Sequence, residues 1–458
     1  MDRDSPRAPV DVLMPSDGSV SLLLVAFGAI AVLVLLVTWA KLNAFLALFV
    51  AALIVGLGSG LPPLGALKAF QEGIGATLGG IAAVIALGAI LGKLLAESGG
   101  AEVLAQRFSA FFGPSRAVWC VITLSLVVGM VTWFTVALLL LIPIVISLTH
   151  ESKRPFLLLG LPLIAFLSVM HGLTPPHPGP VVAIDAVGAR TGMVLALAFL
   201  VGIPTAAVAG PLFARWVVKR VPVTPPALVA VKRDAGSRPG FGATLFVIGL
   251  PIALMLLSTA GELGFREGHR VRVALAFAGH PVMALAVAVF VALAVFGRAC
   301  RFNRSQLLAF TEQSVAAIGP TLLVVAGGGG FARVLREGGV ANALGSLAGQ
   351  FNLPVLVYAW LMAAFVRVAT GSATVAITTA AGLLAPVLAI HPEVNRELVV
   401  LALGFGSLFL SHLNDGGFWI VKDCLGLTVG QTLRTWTVVE TIVGVVGLGL
   451  TCLLALYL

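Results

Sequence analysis

Four of the ionisable residues that lie within or beside apolar segments are the first candidates for chemistry. They are His171, His177, Arg367 and Asp415. A guanidinium can hold a carboxylate through two parallel hydrogen bonds, a carboxylate can carry a proton, and an imidazole titrates near neutral pH. Because an ionisable group in apolar surroundings is costly unless it is paired, these residue types predict a site that binds an organic anion and handles a proton.

Three of these residues have a functional and a structural interpretation. Arg367 is predicted to pair with a substrate carboxylate, and a structural salt bridge or a snorkelling side chain is the alternative. Asp415 is predicted to carry a coupled proton, with an ion pair to Lys422 as the alternative. His177 is predicted to bind substrate or a proton, and a histidine that only holds packed backbone is the alternative.

The sequence contains no motif for a metal, a cofactor or common enzymatic chemistry. His171 and His177 are six residues apart across prolines, and the four cysteines form no CxxC pair. The motifs HExxH and GxSxG are absent, and so is the phosphate loop GxxxxGKS or GxxxxGKT. The GGGG run at residues 327–330 has no following Lys and predicts close helix packing or a hinge. We therefore expect no metal, no cofactor and no enzyme activity.

The composition indicates what kind of molecule positions these groups. Of 458 residues, 59% are hydrophobic and 10% are charged, against about 25% charged in ordinary soluble domains. A membrane crossing needs about 20 apolar residues, so the length allows about 12 transmembrane helices. The net charge of +9 comes from short basic runs between apolar segments, which is not a nucleic-acid-binding pattern. An all-α polytopic membrane protein is predicted, with the lipid bilayer as its partner.

The two halves of the chain match each other without gaps when one is shifted by 240 residues. Ala and Leu identities mean little in so apolar a chain, so the weight rests on matched glutamates and prolines, which predict a duplication. These pairs are Glu72 with Glu312, Glu97 with Glu337, and Pro114 with Pro354.

Basic residues predict that the two copies have opposite orientations. The basic loop at residues 298–304 corresponds to the uncharged residues 58–66, and Lys and Arg favour the cytoplasmic side. Residues 215–240 hold six basic residues against one Asp and predict a cytoplasmic linker. The predicted division is a tail (1–19), a first repeat (20–214), this linker and a second repeat (241–458).

Two matched pairs of segments predict broken helices and re-entrant hairpins. GMVTWFT, which contains Thr132, aligns with ATGSATVAI, which contains Ser372. HGLTPPHPGP at residues 171–180 aligns with SHLNDGGFW at residues 411–419. Neither the prolines of the first segment nor the NDGG turn of the second fit a helix interior. Broken segments in inverted repeats are typical of secondary transporters, although plain surface loops are the alternative. The small hydroxyl and amide groups of these segments, including those of Thr132, Ser372 and Asn414, are predicted to bind an anionic, polyhydroxylated solute.

These segments resemble the gluconate permease family, the gluconate:proton symporters of bacteria. The similarity runs nearly end to end and is most specific in HGLTPPHPGP, ATGSATVAI and SHLNDGGFWIVKD. It implies a multi-pass protein of the bacterial inner membrane that takes up gluconate or a related sugar or hydroxy acid with protons, by an elevator-type motion. Binding roles are implied for Thr174, His177, Arg367, Ser372, Thr374, Asn414 and Asp415.

One position departs from the family pattern. Phe134 and Thr135 stand where the family has an aromatic residue followed by an acid, so the first predicted hairpin carries no charge. Proton coupling must then come from elsewhere or be absent. A transporter of another small carboxylate or of a D-amino acid stays open, as do a passive anion channel and assembly into a homo-oligomer.

Overall fold

The computed structural model describes residues 17–226, 238–340, 354–413 and 415–458, and within these ranges every regular element is a helix. The first half contains α1 (Asp17–Thr38), α2 (Ala44–Gly58), α3 (Pro63–Glu97), α4 (Gly100–Phe112), α5 (Ala117–Gly129), α6 (Phe134–Ser152), α7 (Phe156–Leu173), α8 (Pro178–Val187) and α9 (Thr191–Val217). The second half contains α10 (Phe241–Gly264), α11 (Arg270–Gly279), α12 (Pro281–Ala299), α13 (Arg304–Glu337), α14 (Val355–Thr370), α15 (Ala373–Ile390), α16 (Arg396–Leu408), α17 (Gly416–Cys424) and α18 (Val429–Leu454).

Local sequence signals set many of these helix bounds. Asn303 and Gln306 form a capping box at the start of α13, in which each side chain accepts a hydrogen bond from the other residue's N–H, at 2.8 and 2.9 Å. α3 and α12 begin at Pro63 and Pro281, where a missing N–H is tolerated. Gly371 ends α14 with φ of 74°, a left-handed conformation that glycine adopts without strain. This glycine turns the chain at one of the predicted breaks.

The helix bounds of the two halves correspond at the spacing that the sequence self-match predicts. A shift of 240 residues moves α3 to 303–337, against α13 at Arg304–Glu337. The same shift moves α6 to 374–392, against α15 at Ala373–Ile390. α5 corresponds to α14, α7 to α16 and α8 to α17 in the same way. The opposite orientation of the copies and the division into domains stay predictions, and residues 1–16 and 227–237 lie outside the described residues.

Two corresponding helices, α7 and α16, form the centre of the molecule. Almost every residue of α7 is buried, and so is every residue of α16 from Glu397 to Leu408. They approach closely at glycines: a Cβ added to Gly404 would lie 2.8 Å from the carbonyl oxygen of Gly172. Both helices lead directly into predicted breaks, so the most buried part of the fold fixes the positions of those breaks.

The long helices α3 and α13 pack closely where the GGGG run lies. A Cβ added to Gly73 would lie 2.5 Å from the carbonyl oxygen of Gly329, and one added to Gly330 would lie 2.6 Å from the Phe70 ring. Close helix packing, one of the two interpretations of the GGGG run, is therefore what the structure shows. An ion pair between Arg333 and Glu72, at 2.6 Å, also joins these helices.

The described residues contain fewer helices of full crossing length than the roughly 12 that the chain length allows. Among the described residues, seven helices are long and apolar enough to span a bilayer, or up to nine if each of two bent pairs is one span. α2, α14 and α15 contain shorter apolar segments of 10–17 residues. The protein is all-α and membrane-spanning, as predicted, and the number of about 12 helices stays a prediction.

Candidate functional site

A cavity of about 330 Å³ lies where the four predicted breaks come together. The breaks separate α5 from α6, α7 from α8, α14 from α15 and α16 from α17. The volume is in the range of small-molecule binding sites. The breaks contribute Trp133, Phe134, Thr135 and Pro178 from the first half and Gly371, Ser372, Ala373, Thr374, Asp415, Gly416 and Gly417 from the second.

Four helices, α6, α8, α15 and α17, begin at the wall of this cavity. The first N–H groups of a helix have no partner inside the helix and carry a partial positive charge. Ser372 caps α15 by accepting from the N–H of Val375 at 3.3 Å, and Asp415 caps α17 by accepting from the N–H of Gly417 at 2.7 Å. The clustered helix starts favour an anion in the cavity.

Arg367 and Asp415, which the sequence assigns to separate roles, are ion-pair partners. Arg367 Nη2 donates to Asp415 Oδ2 at 2.5 Å, and their side chains are 3% and 12% exposed. The pair connects the last turn of α14 to the start of α17. Lys422, the alternative partner for Asp415, pairs with Asp423 at 2.8 Å.

Three donors hold the Asp415 carboxylate. Besides Arg367, the Ser411 hydroxyl donates to Oδ2 and the N–H of Gly417 donates to Oδ1. The indole N–H of Trp436 donates to the Ser411 oxygen at 2.7 Å, which connects α18 to the same network. These contacts fix the carboxylate from three directions, and therefore also fix the guanidinium that it binds.

The Arg367 guanidinium is only partly used by the protein. Nη1 donates to the carbonyl oxygen of Gly371 at 2.5 Å and Nη2 donates to Asp415. The third nitrogen, Nε, is buried without a hydrogen-bond partner. A guanidinium carries five N–H donors, and a buried donor without a partner is costly. The cavity therefore contains a cation with capacity for another acceptor.

Hydroxyl groups supply most of the other polar lining of the cavity. They come from Thr135 and Ser168 in the first half and from Thr321, Thr370, Ser372 and Thr374 in the second. Each hydroxyl can both donate and accept a hydrogen bond. Such a lining complements a solute that itself carries several hydroxyl groups.

The structure places seven of the eight predicted site residues, some in the cavity lining and some outside it. Arg367, Ser372, Thr374 and Asp415 line the cavity. Thr132, Thr174 and His177 are buried outside its lining, and Asn414 lies outside the described residues. The roles of all eight residues in binding or coupling stay predictions.

The buried group around His177 connects the two breaks of the first half. His177 Nδ1 lies 2.9 Å from the carbonyl oxygen of Thr174, and Nε2 lies 3.2 Å from that of Thr132. The hydroxyls of both threonines donate to carbonyl oxygens one turn earlier, at 2.6 Å in each case. Both ring nitrogens of His177 therefore contact backbone carbonyl oxygens, as expected of a histidine that holds packed backbone.

The cavity also contains residues that sequence reasoning did not select. Glu440 is fully buried at the cavity wall, near Ser168 and Trp436. Glu440 is the single acid in the last apolar run, Thr435 to Leu458, and this isolation is a signal that could have identified it. Ser168 and Thr321 lie in apolar helices without any comparable signal.

Comparison with known proteins agrees with this architecture. The sequence pattern described as GntP family permease matches residues 20–457. The gluconate permease of Pseudomonas aeruginosa is 43% identical over 441 residues, which cover 95% of this chain and 98% of the relative. The Gnt-II system L-idonate transporter of Escherichia coli is 37% identical over 428 residues, covering 93% and 97%.

A solved structure provides an independent comparison of the fold. The YdaH transporter of Alcanivorax borkumensis superimposes with a TM-score of 0.64 at 15% identity, covering 90% of this chain and 98% of the other. At this identity the likeness shows the fold alone.

These comparisons confirm the resemblance that the motifs indicate. The matching relatives are membrane permeases and transporters, so the predictions of a transport protein and against an enzyme are confirmed as well. The chain belongs to the GntP permease family.

Proposed function

We propose that this protein imports gluconate or a closely related sugar or hydroxy acid by proton symport across the bacterial inner membrane. The observation that carries the proposal is the guanidinium of Arg367, which lies in a hydroxyl-lined cavity with one buried nitrogen unpartnered. A sugar acid offers the complementary groups, a carboxylate for the guanidinium and a chain of hydroxyls for the rest of the lining.

Substrate binding follows from the charges at the cavity. The substrate carboxylate binds Arg367 in competition with Asp415, which is the present partner of the guanidinium. The starts of α6, α8, α15 and α17 add partial positive charge around the anion. The hydroxyls of Ser372 and Thr374 then bind the polyol part. The sugar-acid names of the two relatives support the same class of substrate.

Charge balance supports the proton. Arg367 and Asp415 neutralise each other, so an entering carboxylate adds one uncompensated negative charge to a desolvated cavity. Such a charge is unfavourable, and protonation of one carboxylate removes it. The sequence names Asp415 and His177 as coupling residues, and both stay predictions.

The proposal is tested by a substrate panel in proteoliposomes. We expect gluconate and idonate to exchange against preloaded labelled gluconate, whereas glucose does not, because it has the hydroxyls but no carboxylate for Arg367. Protein-free liposomes are the control.

Two rival interpretations predict different results in this panel. A D-amino acid transporter would exchange D-serine and leave gluconate outside. A passive anion channel would give no stimulation of gluconate entry by gluconate on the other side. Either result would contradict the proposed substrate or the proposed transport mode.

A further inference from the structure

Glu440 is a buried carboxyl group without a hydrogen-bond partner at the wall of the substrate cavity. Its side chain is 0% exposed, and neither Oε1 nor Oε2 has a hydrogen-bond partner. Glu440 is one turn beyond Trp436 on α18, so both side chains lie on the same face of that helix, and both line the cavity. This glutamate therefore faces the space in which the substrate binds without being held by the protein.

The charged and titratable groups around Glu440 are Arg367, Asp415 and His171. Arg367 and Asp415 face it from α14 and from the start of α17, and Ser168 faces it from α7. The Arg367 Nη atoms are bonded to Gly371 and Asp415. His171, one turn from Ser168 on α7, lines the same cavity. None of the charged or titratable side chains forms a hydrogen bond with either oxygen of Glu440, and the Ser168 hydroxyl is the nearest donor.

An ionised carboxylate in this position would have no counter-ion of its own, because Arg367 is paired with Asp415, and only the Ser168 hydroxyl as a nearby donor. Burying such a charge is so costly that a group of this kind takes up a proton instead. Asp415 is in the opposite situation, because all three of its contacts donate to it and its oxygens serve as acceptors. Among the cavity-lining carboxyl groups of the described residues, Glu440 is the one whose geometry suits a neutral acid.

We propose that Glu440 is the binding site of the co-transported proton. The inference rests on the proposed proton symport and adds to it the residue that carries the proton. One proton from the outer solution adds to a Glu440 carboxylate oxygen, which gives the neutral carboxylic acid as the substrate carboxylate binds Arg367. After the substrate leaves on the inner side, the same proton passes to water and the carboxylate forms again. The proton thus offsets the negative charge that the substrate brings, so the summed charge of Arg367, Asp415, Glu440 and the substrate is the same before and after binding.

The decisive variant is Glu440→Gln, which keeps the size of the side chain and resembles the protonated form but cannot release a proton. We expect the variant to exchange gluconate across proteoliposome membranes, because exchange needs binding and movement without net proton transfer. We expect no accumulation of gluconate under an imposed pH gradient. For one coupled proton and no membrane potential, the wild type should accumulate up to about tenfold per unit of gradient, since one pH unit is equivalent to a tenfold concentration ratio.

Controls separate this inference from the proposed function. Glu312→Gln, at an exposed glutamate outside the cavity lining, should keep full gradient-driven accumulation. Wild type that exchanges no sugar acid would overturn the proposed function itself. Glu440→Gln that accumulates gluconate as the wild type does would overturn the role of Glu440 and leave the proposed function standing. Loss of coupling in Asp415→Asn, with coupling retained in Glu440→Gln, would have the same consequence.

A measurement on the wild type keeps the inference testable if Glu440→Gln does not insert. An apolar carbodiimide reacts with protonated carboxyl groups in apolar sites. We expect the peptide that contains Glu440 to be modified, and to be modified faster at acid than at alkaline pH. Mass spectrometry that finds the adduct on the Asp415 peptide and none at Glu440 would contradict the proposal.

Discussion

Replacing Arg367 by alanine is expected to weaken gluconate binding roughly 10- to 150-fold, because a lost charge-assisted hydrogen bond costs about 1.5–3 kcal/mol. The guanidinium is 3% exposed, so water cannot substitute for it. Arg367→Lys should recover little of the loss, since the ammonium is a point charge without the planar fork that holds a carboxylate and Gly371 together. Concentration-dependent exchange in proteoliposomes gives the affinities.

The matched control is Arg333→Ala, which removes another arginine from an ion pair. Arg333 pairs with Glu72 and Glu337 and is 37% exposed, on the α3–α13 contact and outside the cavity lining. Exposed ion pairs contribute about 0–1 kcal/mol, so this variant should bind gluconate as the wild type does. Wild-type affinity in correctly inserted Arg367→Ala protein would rule out Arg367 as the carboxylate-binding group.

The second large effect is expected on stability, in Asp415→Ala. Removing Asp415 leaves the buried Arg367 guanidinium without its counter-ion, and breaking a buried pair in this way costs about 3–5 kcal/mol. The double variant Arg367→Ala with Asp415→Ala should be more stable than Asp415→Ala alone, because no unpaired charge remains. It should nevertheless bind gluconate no better than Arg367→Ala does. Thermal unfolding of the purified proteins in detergent measures these differences.

The control for this stability comparison is an exposed ion pair whose loss should change the free energy of unfolding little. Glu72→Ala removes a half-exposed partner of Arg333, and we expect a change of about 1 kcal/mol or less. If the destabilisations of the two single variants at Arg367 and Asp415 simply add up in the double variant, the two side chains do not form the coupled pair that the structure shows.

The positions of the helix breaks could be predicted because they depend on local sequence. Pro175 and Pro176, which follow α7, cannot continue a helix, and Gly371 permits a left-handed turn that other residues resist. Segments that interrupt a helix occur in both halves at an offset of 240 residues, although their residues differ, which indicated that the breaks belong together. The structure brings all four breaks to one cavity.

Side-chain partners could not be predicted, because they depend on the folded chain. Arg367 and Asp415 are 48 residues apart, whereas Lys422, the partner considered from sequence, is seven residues from Asp415 and pairs with its neighbour Asp423. The hydroxyl of Thr132 was predicted to bind substrate from its place at a helix break, and that of Thr174 from the family resemblance. At the end of a helix such hydroxyls can instead bond to a carbonyl one turn earlier, and both do so.

The central claim is that a pH gradient drives sugar-acid uptake through this cavity, and gradient-driven uptake of labelled gluconate into proteoliposomes tests it most directly. With acid outside, gluconate should accumulate inside above its external concentration. An uncoupler should abolish the accumulation while exchange continues. Equilibration without accumulation under the gradient, or accumulation that survives the uncoupler, would contradict proton symport.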